Sequence, residues 1–363
     1  MPLIAGSEVQ MDPDPLEQDR PGGAEAAAAD PRDGLMRLLV GPWLFGAVGA
    51  AVRLGVPDLL AGGPRTAREL AAEMQADADS LYRLLRALVA AGVLAEDTRG
   101  APGVFALTGQ GALLRRDAPG SLRPLALLYS ERYFADAWER LAEAVRTGDQ
   151  AFELAHGTGV FDFLAARPEE AARYTEGIAA GSAFLSEVPG AFAFPDKARV
   201  VDVGGGDGGL LASVLRAHPA ATGVLLELPA AVAEAREALA GPIGEGRCEV
   251  AAGDFTEAVP ERGDAYLLCR VLHNWDDEAC RALLSRCARA MAGGGAVLIL
   301  ERVLPDHGHP PLSLAFDLHM MVMTRGRERT LAEYRRLLAA AGLRLEEARP
   351  LASEMSLLVA RSE

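Results

Sequence analysis

Positive charge is what this 363-residue chain has least of. It carries a single lysine, Lys197, and 36 basic residues in all against 51 acidic ones, for a formal net charge of −15. A surface of that sign repels phosphate backbones and anionic lipid, so neither nucleic acid nor a membrane is an expected partner. Cysteine is scarce as well. The four thiols (Cys248, Cys269, Cys280 and Cys287) form no CxxC pair, which argues against a disulfide framework and for a reducing, cytoplasmic setting. No metal site is expected. The longest stretch nearly free of charge, residues 38–52, contains Pro42 and three glycines and falls short of the roughly 20 residues that cross a bilayer. The N-terminal residues are acidic and contain no apolar core of a secretory leader. The expectation is a soluble protein. Half of its residues are apolar, enough for a sizeable core, and its length fits two domains.

What the chain does have is concentrated at residues 200–209, Val-Val-Asp-Val-Gly-Gly-Gly-Asp-Gly-Gly. An apolar strand runs into a glycine-rich turn, and an apolar helix over 210–217 leaves it. An α/β sheet presents backbone N–H groups to a nucleotide-like ligand in this way. Gly204, Gly206 and Gly209 have the spacing of a dinucleotide fingerprint. Asp202 opposes that reading, because its carboxylate would repel a pyrophosphate. A ligand without phosphate and with a positive centre is compatible, and S-adenosyl-L-methionine is such a molecule. The next strand, residues 223–229, carries Glu227 about where an acid caps ribose hydroxyls in doubly wound folds. The Gly253-Asp254-Phe255 loop offers an acceptor for an adenine amino group and an aromatic face for the ring.

With the segment VLHNWDDE at 271–278 and the blocks 317–321 and 326–330 added, the chain resembles the bacterial small-molecule O-methyltransferases of natural-product biosynthesis. More distantly it is similar to the plant caffeate and flavonoid enzymes. The resemblance covers residues 33–360. It implies a Rossmann-like class I methyltransferase sheet, doubly wound α/β, behind an N-terminal winged-helix dimerisation domain, and a homodimer.

The pattern of elements divides the chain accordingly. Residues 1–30 read as a disordered tail, 31–120 as the winged helix, 121–190 as a helical bridge lining the acceptor pocket, and 191–363 as the catalytic domain. Thr66 and Glu69 make a capping box, and Asp79-Ser80 opens a helix over 81–91. A hairpin over 93–107 follows, and Thr108 caps the next helix. A winged helix also suits a DNA-binding regulator, but the expected recognition helix brings only Arg83 and Arg86. The bridge is rich in aromatics (Tyr129, Tyr133, Phe134, Trp138, Phe152, Phe161, Phe163 and Phe184), which fit either helix core or pocket wall. Residues 343–348 and 355–360 read as a closing antiparallel hairpin.

A phenol with a pKa near 10 needs a base at neutral pH, and a neutral histidine can serve. His273, just past the fourth strand of the sheet, is the candidate. The resemblance sets Glu301, at the end of a strand over 296–300, and Glu328 beside it. His319 is a further candidate for the pocket. Met320 and Met321 suit a flat aromatic acceptor or plain core equally. Two positions depart from the family. Asn274 stands where Asp is usual, and Cys269 where many relatives have lysine. Few basic residues fall near the presumed pocket, so the expected acceptor is a flat, largely apolar aromatic hydroxyl of secondary metabolism. The alternative on this fold is a hydroxylase or decarboxylase that binds the same cofactor.

Overall fold

The structure, a computed structural model, describes residues 30–97, 103–229, 231–308 and 310–363. The expected tail lies outside the described residues except for Asp30, as does the tip of the expected hairpin. The chain divides into two units, one ending at Phe45 and one running from Gly46 to Glu363. The described part of the first belongs to the helix Pro31–Leu54, which continues through Pro42. It leaves Leu35, Met36, Leu38, Leu39 and Trp43 exposed. By length and composition alone this 24-residue helix could cross a membrane, whereas the sequence displays only the shorter uncharged run. Arg37 and Arg53 bound that run, but arginine is a good helix former and does not end a helix.

In the second unit Thr66 and Glu69 form the expected capping box at the start of Ala67–Met74. The following helix begins at Ala78, three residues before the expected Leu81. Asp77 is its cap, and the carboxylate accepts from the Ser80 N–H at 2.8 Å. Strands β1 (Arg65–Thr66), β2 (Leu94–Asp97) and β3 (Val104–Leu107) form an antiparallel sheet in the order β1-β3-β2. Leu70, Leu81, Leu85, Leu88 and Phe105 pack together as the core of this winged-helix arrangement.

The large sheet contains β4 (Arg199–Val203), β5 (Thr222–Glu227), β6 (Cys248–Ala252), β7 (Gly263–Cys269), β8 (Met291–Leu304), the two-residue β9 (Arg329–Thr330), β10 (Leu343–Pro350) and β11 (Met355–Ser362). Its order is β6-β5-β4-β7-β8-β11-β10, with β9 beside the end of β8. Strands β4 to β8 run parallel, while β11 is antiparallel to both β8 and β10. Alternation along each strand feeds two cores. Val200 and Leu298 pack with Leu211 and Leu215 on one face; Val201 and Ile299 pack with Leu284 and Leu338 on the other. The chain moves outward from β4 through β6 and then returns to β7 on the other side of β4. The β4/β7 boundary is therefore the topological switch point, where open α/β sheets bind ligands.

Candidate active site

The first half of the site gathers at the C-terminal ends of β4, β5 and β6. Gly204, Gly206 and Gly208 all adopt positive φ (66°, 57° and 79°), a conformation that side chains rarely take. A Cβ on Gly206 would meet nothing within 4 Å, so the turn is open there. Asp202 is fully buried beneath it, and neither carboxylate oxygen has a hydrogen-bond partner. Burial, with Glu227 and Asp207 nearby, pushes its carboxyl up to about 7. Glu227 ends β5 and accepts from the Gly206 N–H at 2.9 Å and the Leu228 N–H at 2.7 Å. The Gly253 N–H bonds to the Glu227 carbonyl at 3.0 Å, tying the next loop to this edge. Asp254 in that loop is exposed and accepts from the Thr256 N–H. Phe255 sits edge-to-face with Trp275 at 5.8 Å and leans over Gly204. An unpartnered buried carboxylate beneath an open glycine turn suits a cationic nucleoside and repels a pyrophosphate.

The second half follows β7. Leu272–Asn274 is a short 3-10 turn that buries His273 to 6 % exposure. Its Nδ1 lies 3.1 Å from Glu328 Oε1 and 3.4 Å from Glu301 Oε2. Both carboxylates are buried. A carboxylate only accepts, so Nδ1 carries the proton and the Nε2 lone pair is free on the opposite edge of the ring. Burial is the largest single influence on His273 and opposes protonation, but Glu301 and Glu328 outweigh it and raise its pKa. Burial likewise raises Glu301, against the pull of His273. The nearest ligand atoms of these three residues lie within 4.8 Å of one another, a spacing a divalent cation could also use. Such an ion on Nδ1 would displace the proton that orients the ring.

The expectations are met unevenly. Glu301 does not end its strand: pairing with β11 and β9 carries β8 on to Leu304, and Glu301 sits inside it opposite Ser356. Asn274 does not reach the base. Its Nδ2 donates to the Arg270 carbonyl at 2.9 Å, a bond an aspartate could not make, and so braces a residue held at φ 54°. Asp276 caps the helix Asp277–Ala290 as a helix-opening acid should. The Cys269 thiol is pushed up to about 12 by burial, so it stays protonated. Of the bridge aromatics, Phe134 and Trp138 stack on His319 (interplanar 3° and 19°) and Tyr129 meets it edge-on. Phe152 and Phe163 instead pack with His156. Burial, with His273 and Arg302 nearby, depresses His319 to about 4, so it is neutral at ordinary pH.

Sequence reasoning missed three kinds of support. The fully buried Arg329 donates to the carbonyls of Leu272 and Trp275 at 3.0 and 2.7 Å and pairs with Asp277, clamping the His273 turn on both sides. Asp317 accepts from the Glu328 N–H at 2.9 Å. Gly326 touches the same turn so closely that a Cβ there would fall 1.8 Å from the His273 carbonyl oxygen. Nor is the pocket region poor in positive charge. Arg270 and Arg302 both act on Tyr129, and Arg302 also on His319.

A doubly wound sheet closed by an antiparallel hairpin, with an open glycine turn over a buried acid at its switch point and a buried histidine between two carboxylates, is the architecture of a class I methyltransferase. Comparison with known proteins gives the family. The O-methyltransferase domain matches residues 138–344, and the O-methyltransferase dimerisation domain matches 35–117. The phenazine O-methyltransferase of Lysobacter antibioticus is 38% identical over 328 residues, 90% of this chain and 95% of that protein. The 8-amino-8-demethylriboflavin N,N-dimethyltransferase of Streptomyces davaonensis is 40% identical over 299 residues, 81% and 84% of the two chains. The S-adenosylhomocysteine-bound structure of a methyltransferase of calicheamicin biosynthesis superposes with a TM-score of 0.79 at 38% identity, covering 92% of this chain and 98% of that one. The chain belongs to the O-methyltransferase family, and S-adenosylmethionine is its cofactor.

Two expectations follow from this geometry. Gly326→Ala must push the His273 turn away, and a displacement of that kind costs on the order of 10²-fold in turnover. Steady-state kinetics should find that loss, with calorimetry finding S-adenosylmethionine affinity nearly intact. Asp202 must ionise to hold a cation, and its carboxyl stands near 7. Affinity for S-adenosylmethionine should therefore fall as pH drops through that value, with proton release on binding below it. Asp202→Asn should flatten the profile. A wild-type affinity independent of pH between 6 and 8 would remove Asp202 from the site.

Proposed function

We propose that the chain methylates a hydroxyl on an aromatic intermediate of secondary metabolism, with His273 as general base. The observation that carries the reading is the buried imidazole whose Nδ1 is committed to two carboxylates, leaving Nε2 to accept a proton. Bound S-adenosylmethionine supplies an activated methyl group. Asp202, Gly204, Gly206, Glu227, Asp254 and Phe255 are the residues assigned to hold it: Asp202 facing positive charge, Glu227 the ribose hydroxyls, and the Asp254–Phe255 loop the adenine. As the acceptor oxygen takes the methyl it gives its proton to Nε2. Glu328 and Glu301 fix the tautomer and stabilise the imidazolium that results. His319, neutral and stacked among Phe134, Trp138 and Tyr129, lines the cavity for a flat ring. A tertiary amine or ring nitrogen has no proton to lose, so the clamped base favours oxygen, although one relative at 40% identity is named for methylating nitrogen.

We place the dimer in the same reading. The dimerisation match covers most of the helix Pro31–Leu54, whose exposed Leu, Met and Trp side chains form an apolar surface that a second copy would cover. Light scattering at micromolar concentration should return twice the chain mass; a stable monomer would contradict it.

His273→Ala should lower turnover about 10²–10⁴-fold, the usual range for a general base, while cofactor affinity holds. Near wild-type activity would mean that the acceptor arrives already ionised. The acid limb of kcat/KM reports His273 in the free enzyme and lies above the ordinary histidine value, because its pKa is raised. Glu328→Gln removes one charge that favours the imidazolium. The limb should then move to lower pH and the plateau rate should fall. A limb that stays put would show another group titrating there.

A further inference from the structure

Glu301 and Arg302 are consecutive in β8, so their side chains leave from opposite faces of the strand. Arg302 is 8% exposed. Its guanidinium lies flat on Phe316 of the helix Pro311–Met323, 3.6 Å from the ring centroid. Phe316 in turn meets His319 edge-on at 6.3 Å. The Arg302 Nε is buried with no hydrogen-bond partner, and among the described residues the guanidinium has no carboxylate within ion-pair distance. Arg329, the other arginine buried to this degree among the described residues, has a different fate and spends its donors on two carbonyls and Asp277. Arg270 repeats the anomaly beside it. Among the described residues its terminal nitrogens bond to the Ile178 carbonyl and the Ser182 hydroxyl, and its Nε too is buried and unpartnered.

Arg302 and Arg270 repel each other, and the carboxylates that act on Arg302, Glu328 and Glu301, lie beyond ion-pair distance; two guanidiniums so placed are costly to bury unless a closer anion joins them. Both act on Tyr129, and Arg302 acts on His319. These rings belong to the aromatic layer assigned to the acceptor. We infer that Arg302, supported by Arg270, is an anion-binding subsite of the acceptor cavity, and that the acceptor is an aromatic hydroxy acid whose carboxylate this subsite holds while its hydroxyl faces His273. The inference rests on the methyltransferase reading of the site and narrows it: the flat, largely apolar acceptor expected from sequence gains a negative group at one edge. Arg302 is then a positioning residue. A guanidinium lying on a ring presents its donors at the rim in a fixed fork, the geometry that grips a carboxylate with two hydrogen bonds.

The test measures binding, not turnover. Titrate the S-adenosylhomocysteine-loaded enzyme by calorimetry with a panel of hydroxybenzoic and hydroxynaphthoic acids, each paired with its carboxamide. The wild type should prefer at least one acid over its amide by roughly 10- to 100-fold, the scale of a charge-assisted hydrogen bond. Arg302→Gln should abolish the preference by weakening the acid alone, and Arg302→Lys should restore part of it. S-adenosylhomocysteine affinity and circular dichroism should be unchanged in both variants. A panel in which no acid is preferred overturns the inference. So does an Arg302→Gln variant that weakens acid and amide equally, since that loss would reflect packing on Phe316. Failure to bind S-adenosylhomocysteine would strike the methyltransferase reading instead, and acid binding to the enzyme alone would still judge the subsite.

Discussion

Burying Glu301 and Glu328 within reach of one imidazole costs desolvation energy that only a cation or a shared proton between them can offset. The Nδ1–H of His273 meets that need in the resting site, and the imidazolium meets it better. The cluster is thus under electrostatic tension that a proton on Nε2 relieves. A base whose environment grows more comfortable on protonation is suited to taking a proton in the transition state, when charge develops. Burial alone would have made His273 a weaker base than a free imidazole; the two carboxylates reverse the sign.

That tension explains the density of the scaffold around it. A histidine pulled by two carboxylates needs its backbone fixed, or the ring would settle wherever attraction is greatest. Arg329 holds the carbonyls on either side of the turn, Cys280 Sγ also donates to the Leu272 carbonyl, and the Asn274 amide closes the turn onto Arg270. Gly326 lets the segment carrying Glu328 pass against the His273 carbonyl with no side chain between them. Asp317 fixes the Glu328 backbone from the helix Pro311–Met323. The helix carrying Asp317 and the His273 turn are therefore joined through a single packed network, and the blocks at 317–321 and 326–330 both belong to it.

The parts of the site legible in sequence are those whose chemistry is local. The glycine turn, Asp202 and Glu227 sit at strand ends that an apolar run and its terminus reveal, and His273 follows such a run directly. Thr66 declares itself by position because caps act within three residues. The extent of β8 did not show, since its last turns of pairing depend on β9 and β11, which arrive later in the chain. The start of the helix at Ala78 was blurred by three candidate caps in four residues. Gly326 and Arg329 fall in the block at 326–330, but their roles, like that of Arg302, did not show for a shared reason: each acts on a residue brought near only by the sheet and the chain segments folded over its edge. No spacing rule distinguishes a clamping arginine from a solvated one, and in a chain with 35 arginines most are solvated.

The chain's negative balance and its two unpaired arginines are compatible, because they act over different distances. Charges on the surface are screened beyond about 8–10 Å at physiological ionic strength, so a net charge of −15 governs solubility and the encounter with large polyanions. It says little about a small acceptor already inside the cavity. There water is scarce, screening is weak, and the local sum decides. Glu301 and Glu328 act on His273 together with Arg270, and the same two carboxylates act on Arg302. An added carboxylate on the acceptor would tip that sum negative and favour the imidazolium further. The proton would then leave the hydroxyl more readily in the presence of the acid than in the presence of a neutral analogue. Holding the acceptor and activating it are, on this account, linked through the same field, even though Arg302 and Glu301 leave opposite faces of β8.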